Sequence, residues 1–175
     1  LQGDVGSGKT ILALITAANI IEINYQVAFM APTEILAQQH YKLAMKLFKN
    51  SNINIELFTG KTDFNKKKHI LSDLQNGKIN LLFGTHALFQ NKIKFLNLGF
   101  VIIDEQHKFG VNQRIKLAKK GGKNCDLLLI SATPIPRTMM LSFFGYMDIS
   151  RLNENPKYRK NIINIVKTEK KIDEI

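Results

Sequence analysis

The octapeptide Gly3-Asp4-Val5-Gly6-Ser7-Gly8-Lys9-Thr10 restricts the possible folds more than any other stretch of the chain. It fits G-x-x-x-x-G-K-[ST] at every fixed position, a pattern that needs a strand before it and a helix after it. Its glycines let the backbone wrap a phosphate, with the amides of Gly6 to Thr10 pointing inward. A helix starting there turns its positive end toward the same anion. Lys9 is then placed for the β- and γ-phosphates, and the Thr10 hydroxyl for a Mg²⁺ ion. A long apolar segment, Lys9 to Asn24, follows where the helix is required, so a chance glycine-rich turn is a poor account of the motif. Only Leu1 and Gln2 precede it, so its strand is almost wholly missing and the sequence looks cut from a longer one.

The remaining sequence alternates short apolar runs with amphipathic stretches. Strands are expected at Val27–Met30, Ile55–Phe58, Ile79–Phe83, Phe100–Ile103 and Leu127–Ile130. Each is nearly unbroken in apolar residues, as in a parallel strand covered on both faces. Lys9 to Asn24 is apolar nearly all round and predicts a buried helix. Thr33 to Asn50 puts Leu36, Leu43, Ala44 and Leu47 on one face, with Thr33 as N-cap. Asp63 to Asn76 repeats the scheme, with Asp63 as cap, Ile70, Leu71 and Leu74 facing inward, and Gly77 ending the helix. Strands alternating with helices imply right-handed crossovers, hence an α/β fold with a parallel β-sheet sandwiched by helices.

Polar residues recur just past the carboxyl ends of these strands: Pro32-Thr33, Thr59-Gly60, Gly84-Thr85-His86, Asp104-Glu105 and Ser131-Ala132-Thr133. Ligands of open α/β sheets bind at that edge. Asp104 suits a Mg²⁺ partner acting through water, and Glu105 suits a base that orients an attacking water. Phosphoryl transfer needs this division between charge neutralisation and positioning. Ser131 and Thr133 are two small hydroxyls that beside a γ-phosphate could sense its presence, although taken alone the segment reads better as a strand end punctuated by Pro134. His107 stands two residues from Glu105, which favours a role in coupling. His40, His69 and His86 show no ligand spacing with Cys125, so no zinc site is expected. Lys66-Lys67-Lys68 reads as a solvated helix face and Lys119 to Lys123 as an exposed turn.

The formal net charge of +11 among 175 residues fits a polyanionic partner, nucleic acid first, although a uniform lysine bias gives the same figure. One cysteine excludes an internal disulfide and is compatible with a reducing compartment. No apolar run approaches the ~20 residues of a membrane helix. After Asn155 the character changes. Pro156 to Asn161 reads as a linker, Ile162–Val166 as a strand and Lys170–Ile175 as the start of a helix. The expected division is therefore a first domain over 1–155 and the beginning of a second over 156–175.

Four clusters taken in order, GDVGSGKT, APTEILAQQH, DEQHKFGVNQR and SATPIPRT, resemble superfamily 2 helicases and in particular the RecG family of branched-DNA helicases. The resemblance runs over essentially the whole chain. Transcription-repair coupling factors are similar in the first cluster and in Phe109-Gly110-Val111 but usually carry DEEH, and PriA-type helicases depart after the acidic pair. The resemblance implies a RecA-like P-loop NTPase domain that uses ATP and Mg²⁺ to move on DNA. By position it implies nucleotide contacts from Gly3 to Thr10, with Lys9 and Thr10 at the phosphates and metal. Asp104 and Glu105 match the metal and water-activating carboxylates. Gln106 and His107 match a pair linking nucleotide state to DNA, and Ser131, Thr133 and Arg137 match the motif joining hydrolysis to movement. Thr33, Gly60, Thr85 and His86 match segments that touch a strand backbone, which suits a motor indifferent to base sequence. It further implies a second RecA-like domain carrying arginine fingers, an N-terminal wedge domain, no membrane, and a bacterial, cytoplasmic, nucleoid-associated setting. Losing an arginine finger costs about 10³–10⁵ in rate, so the isolated chain is expected to be nearly inactive. A nucleotide-dependent DNA-binding switch and the motor domain of a translocase similar to transcription-repair coupling factors are the competing readings.

Overall fold

The computed structural model describes residues 1–105, 117, 120–122, 125–132 and 148–153. The elements run β1 (Gln2–Gly3), α1 (Lys9–Glu22), β2 (Gln26–Met30), α2 (Glu34–Leu47), β3 (Ile55–Phe58), α3 (Phe64–Gln75), β4 (Leu81–Gly84), a 3₁₀ turn (His86–Phe89), β5 (Leu98–Ile103), β6 (Asp126–Leu129) and β7 (Arg151–Leu152). Five strands form a parallel sheet in the order β3-β4-β2-β5-β6. A parallel β1–β7 pair extends it, because Gln2 bridges Ser131 just past β6. The amide of Ser131 donates to the Leu1 carbonyl at 3.1 Å, and the amino group of Leu1 donates to the Leu129 carbonyl at 2.7 Å.

Every residue of β2, β4 and β5 is buried, as parallel strands covered on both faces must be. On one face Ala13, Leu14, Ala17 and Ile21 of α1 and Ala44 of α2 pack with Val27, Phe29, Leu81, Phe83 and Ile102. Phe29 and Phe83 stack there with centroids 5.0 Å apart. On the other face Ile70 and Leu74 of α3 and Leu88 of the 3₁₀ turn pack with Ala28, Met30, Phe58, Leu82, Val101 and Ile103.

Expected and observed elements agree in kind and differ at their ends. β2 begins one residue early because Gln26 is sealed into the core, and its side chain satisfies four backbone groups. Its amide donates to the carbonyls of Leu74 (3.0 Å) and Ile79 (2.7 Å), and its Oε1 accepts from the amides of Leu96 (2.7 Å) and Asn97 (3.0 Å). β4 starts late, at Leu81, because Asn80 turns its side chain to the amide of Asn54. The helix α1 is not buried all round. Its alanine-rich face meets the sheet, while Ile15 is 54% exposed and Ile11 and Leu12 are also exposed. Leu47 is exposed too, since the last turn of α2 runs past the sheet and Phe48 packs in its place.

The two predicted caps hold. Thr33 accepts from the Leu36 amide at 3.2 Å, and Asp63 accepts from the amides of Asn65 and Lys66. Gly77, at φ +73, closes α3 with its own amide on Leu74 and the next amide on Asp73, a left-handed stop that needs glycine. The expected boundary near residue 155 and all of 156–175 lie outside the described residues.

Candidate nucleotide site and sheet rim

The last rungs of the parallel ladders fall on one line. Phe58 pairs with Gly84, Gly84 with Met30, Met30 with Ile103, and Ile103 with Leu129. The residues that follow these rungs therefore emerge side by side along one edge. Thr59-Gly60, Thr85-His86, Ala31 to Thr33, Asp104-Glu105 and Ile130-Ser131 all stand there. Beyond them β1 brings in the octapeptide, so the Ser131 strand lies between the glycine-rich loop and the paired carboxylates.

Gly6 and Gly8 take φ +83 and +89, and a methyl group at either meets nothing within 4 Å, so conformation rather than crowding requires glycine there. Gly3 is the crowded one, because a Cβ on it would sit 2.7 Å from the Ser7 hydroxyl. Gly8 starts α1 without any side-chain cap, unlike Thr33 and Asp63 at α2 and α3. The first-turn amides of α1 thus keep the donor capacity that an anion can use. The Ser7 hydroxyl is buried without a hydrogen-bond partner. Lys9 is buried in the loop, its ammonium donating to the carbonyls of Gly3 and Asp4 at 2.7 Å each. Thr10 follows it, partly covered, while Asp4 and Val5 are exposed.

Asp104 continues β5, its amide donating to the Met30 carbonyl at 2.9 Å, and it is 8% exposed. Its two oxygens take separate donors. Oδ1 accepts from the Glu105 amide at 3.0 Å, and Oδ2 lies 2.8 Å from Nε2 of His40. Glu105 adopts φ +50, a left-handed conformation costing a non-glycine residue about 1–3 kcal/mol and found preferentially at functional positions. Ser131 is buried at the junction with β1.

The other candidates occupy the far half of the rim. Thr33 and Gly60 are exposed and adjacent, because Glu34 of the first turn of α2 accepts from the Lys61 amide at 3.3 Å. Lys67 donates to the Gly60 carbonyl at 2.7 Å, so the lysine run is not merely solvated. A groove of 310 Å³ runs here between Glu34, Gln38, Tyr41, Thr59, Lys61 and Lys66. Thr85 is buried, whereas His86 is exposed with its ring 6.0 Å from that of Phe89. Lys120, expected in an exposed turn, is half-buried. It donates to the carbonyls of Gln90 and Ile93, and burial lowers its pKa from the usual lysine range. Gln106, His107, Thr133 and Arg137 lie outside the described residues.

Sequence reasoning passed over His40. It has no metal-ligand spacing, yet it sits on the same helical face as Ala37 and Ala44, between two small buried residues. A polar ring in that position signals a buried partner.

A parallel sheet with a glycine-rich loop opening its first helix, and an Asp-Glu pair two strands away, defines a P-loop nucleotide-binding domain of helicase type. The chain belongs to the DEAD/DEAH box helicase family, whose model matches residues 1–141. It is 49% identical over its whole length to the ATP-dependent DNA helicase RecG of Aquifex aeolicus, spanning 22% of that protein, and 49% identical to RecG of Staphylococcus aureus, spanning 25%. Among solved structures it is similar to RecG bound to a three-way DNA junction, with a TM-score of 0.84 and 43% identity over 99% of the chain and 23% of that structure. It shares its fold with Mss116p bound to single-stranded RNA and AMP-PNP, with a TM-score of 0.67 and 20% identity over 87% of the chain and 36% of the other. The chain thus spans about a quarter of the length of its RecG relatives. Among the described residues no helix is long and apolar enough to cross a membrane.

Proposed function

We propose that this chain is the first motor domain of an ATP-driven DNA helicase that remodels branched DNA such as stalled forks and recombination intermediates. One observation carries the reading. The glycine-rich loop and the Asp104-Glu105 pair flank a single strand, β6, and the chain surrounding them is 49% identical to RecG helicases from end to end.

In this reading the amides of Gly6 to Thr10 and the orphaned Ser7 hydroxyl receive the phosphates of ATP. Lys9 exchanges its two carbonyl partners for β- and γ-phosphate oxygens. Glu105 orients the attacking water, and its strained backbone fixes where its carboxylate points. Thr10 and Asp104 would hold Mg²⁺. Among the described residues no three His, Cys, Asp or Glu side chains gather into a metal site. A hydroxyl and a single carboxylate are a donor set that Mg²⁺ accepts, since it is held by one or two carboxylates together with water and phosphate oxygens. When bound, the ion neutralises charge on the phosphates. Ser131, with Gln106, His107, Thr133 and Arg137 by resemblance, couples hydrolysis to movement. Thr33, Gly60 and His86 face a strand backbone along the opposite half of the rim, with Thr85 buried next to His86. A second RecA-like domain supplies the arginine fingers and a wedge domain splits the junction. The protein works in the bacterial cytoplasm, on the nucleoid.

The test is ATP turnover by the full-length protein with and without forked DNA. A rise of an order of magnitude or more with forked DNA is expected. An unchanged rate would favour a nucleotide-dependent DNA-binding switch. Turnover by this chain alone at the rate of the full-length protein would overturn the need for a second domain.

A further inference from the structure

The helix α2 joins the two halves of the rim. Its N-terminus carries Thr33 and Glu34, beside Gly60 and Lys61. Two turns later, His40 reaches under the sheet edge to the end of β5, where Nε2 lies 2.8 Å from Oδ2 of Asp104. Both side chains are 11% exposed. The imidazole packs on Phe29 with centroids 4.9 Å apart.

An ionised carboxylate only accepts hydrogen bonds, so the His40 nitrogen facing it is assigned as the N–H. With the Glu105 amide on Oδ1, the carboxylate is held by one donor on each oxygen. Two point attachments fix the plane of the group, and each oxygen keeps a further lone pair free to accept from water. An apolar side chain between Ala37 and Ala44 would fill this space without the desolvation cost of an imidazole, so the ring is explained by its bond to Asp104 rather than by packing. From Thr33 to His40 is roughly 10 Å of helix, short enough to move as a rigid rod.

We propose that His40 is a positioning residue that sets the orientation of the Asp104 carboxylate and ties it to the helix whose N-terminus faces the DNA strand. A shift of α2 on strand binding then moves a donor on the metal-side carboxylate. The inference rests on the assignment of Asp104 to Mg²⁺ above.

The test uses the full-length protein with His40→Phe, His40→Gln and Asp104→Asn. Phenylalanine keeps a ring on Phe29 and removes the donor, and glutamine restores a donor. Thermal melting establishes that each variant folds. A fluorescent ATP analogue is titrated at increasing MgCl₂, and ATP turnover is measured against forked-DNA concentration. Loss of such a supporting hydrogen bond costs about 10–100-fold in metal affinity or activity. His40→Phe should therefore raise the MgCl₂ midpoint at least tenfold. It should also lower the DNA-stimulated maximal rate while leaving the DNA concentration for half-stimulation in place, and His40→Gln should recover most of both. A wild-type MgCl₂ midpoint and a wild-type stimulated rate in His40→Phe, beside a shifted midpoint in Asp104→Asn, would overturn the role of His40 and leave Asp104 standing. An unshifted midpoint in Asp104→Asn would instead remove the metal assignment, and this inference with it.

Discussion

The ammonium of Lys9 donates to the carbonyl oxygen of Gly3 at 2.7 Å, closing the glycine-rich loop on itself through its own lysine. A second bond of the same length reaches Asp4. Both acceptors belong to a partly exposed loop, so phosphate oxygens can replace them without opening the core.

Replacing Lys9 with alanine should therefore weaken nucleotide binding while leaving the fold intact. A charge-assisted hydrogen bond contributes about 1.5–3 kcal/mol, which corresponds to a loss of roughly 10- to 100-fold in affinity. Titration with a fluorescent ATP analogue reads the affinity, and circular dichroism checks the fold. Unchanged affinity would show that Lys9 stays on its own loop when nucleotide binds.

Glu105→Gln should separate binding from hydrolysis. The amide keeps the size and the backbone bond to Asp104 but cannot take a proton or orient water as an anion does. Turnover of the full-length protein should fall about 10²–10⁴-fold with ATP affinity near normal. Near-normal turnover would assign the attacking water to another residue.

Gln26 offers a test of the scaffold. Gln26→Leu preserves apolar contact but strips a partner from the Ile79 carbonyl and from the amides of Leu96 and Asn97, while the Leu74 carbonyl keeps the Gly77 amide. The two amides lie near solvent and water can take them over, so the expected cost is about 1–3 kcal/mol, from the Ile79 carbonyl chiefly. Urea denaturation should show a lower midpoint than for Gln26→Asn, which keeps the same chemistry at shorter reach.

Cys125 should be slow to alkylate. Burial, and after it the neighbouring Asp126 carboxylate, push its thiol up from 9.0 to about 11. The thiolate is the reactive form, so near pH 8 the folded chain should react with iodoacetamide about 10²-fold more slowly than the urea-unfolded chain. The sign for stability follows. The unfolded thiol ionises first, so the contribution is complete below pH 9 and is lost as pH rises toward 11. Equal alkylation rates in the two states would contradict the burial of this side chain.

Much of the sheet was legible because fully buried parallel strands leave unbroken apolar runs, and Phe29, Phe83 and Ile102 sit where such runs place them. The octapeptide and the Asp-Glu pair were legible as motifs because a glycine-rich turn opening a helix and a strand ending in two carboxylates are local patterns, and the structure places both at one end of the sheet. What escaped depends on contacts distant in sequence. Gln26 breaks an apolar pattern, yet its four partners come from α3, the turn before β4 and the turn before β5. His40 meets Asp104 across 64 positions. The apolar outer face of α1 misleads for a different reason. A helix lying on a sheet needs only one stripe of contact, and composition does not reveal which side meets it.

The β1 pairing also dictates an order of assembly. The Ser131 amide donates to the Leu1 carbonyl from far along the chain, and β1 is wedged between the Ser131 segment and β7. Contacts so distant in sequence close late, because the intervening chain must first be ordered. During synthesis the glycine-rich loop leaves the ribosome before residues 126–152, which supply the strand neighbours of β1 among the described residues. The β2–β5 ladders can zip beforehand, and the β1 end of the sheet joins them last. The setting of the glycine-rich loop is thus complete only when the sheet is.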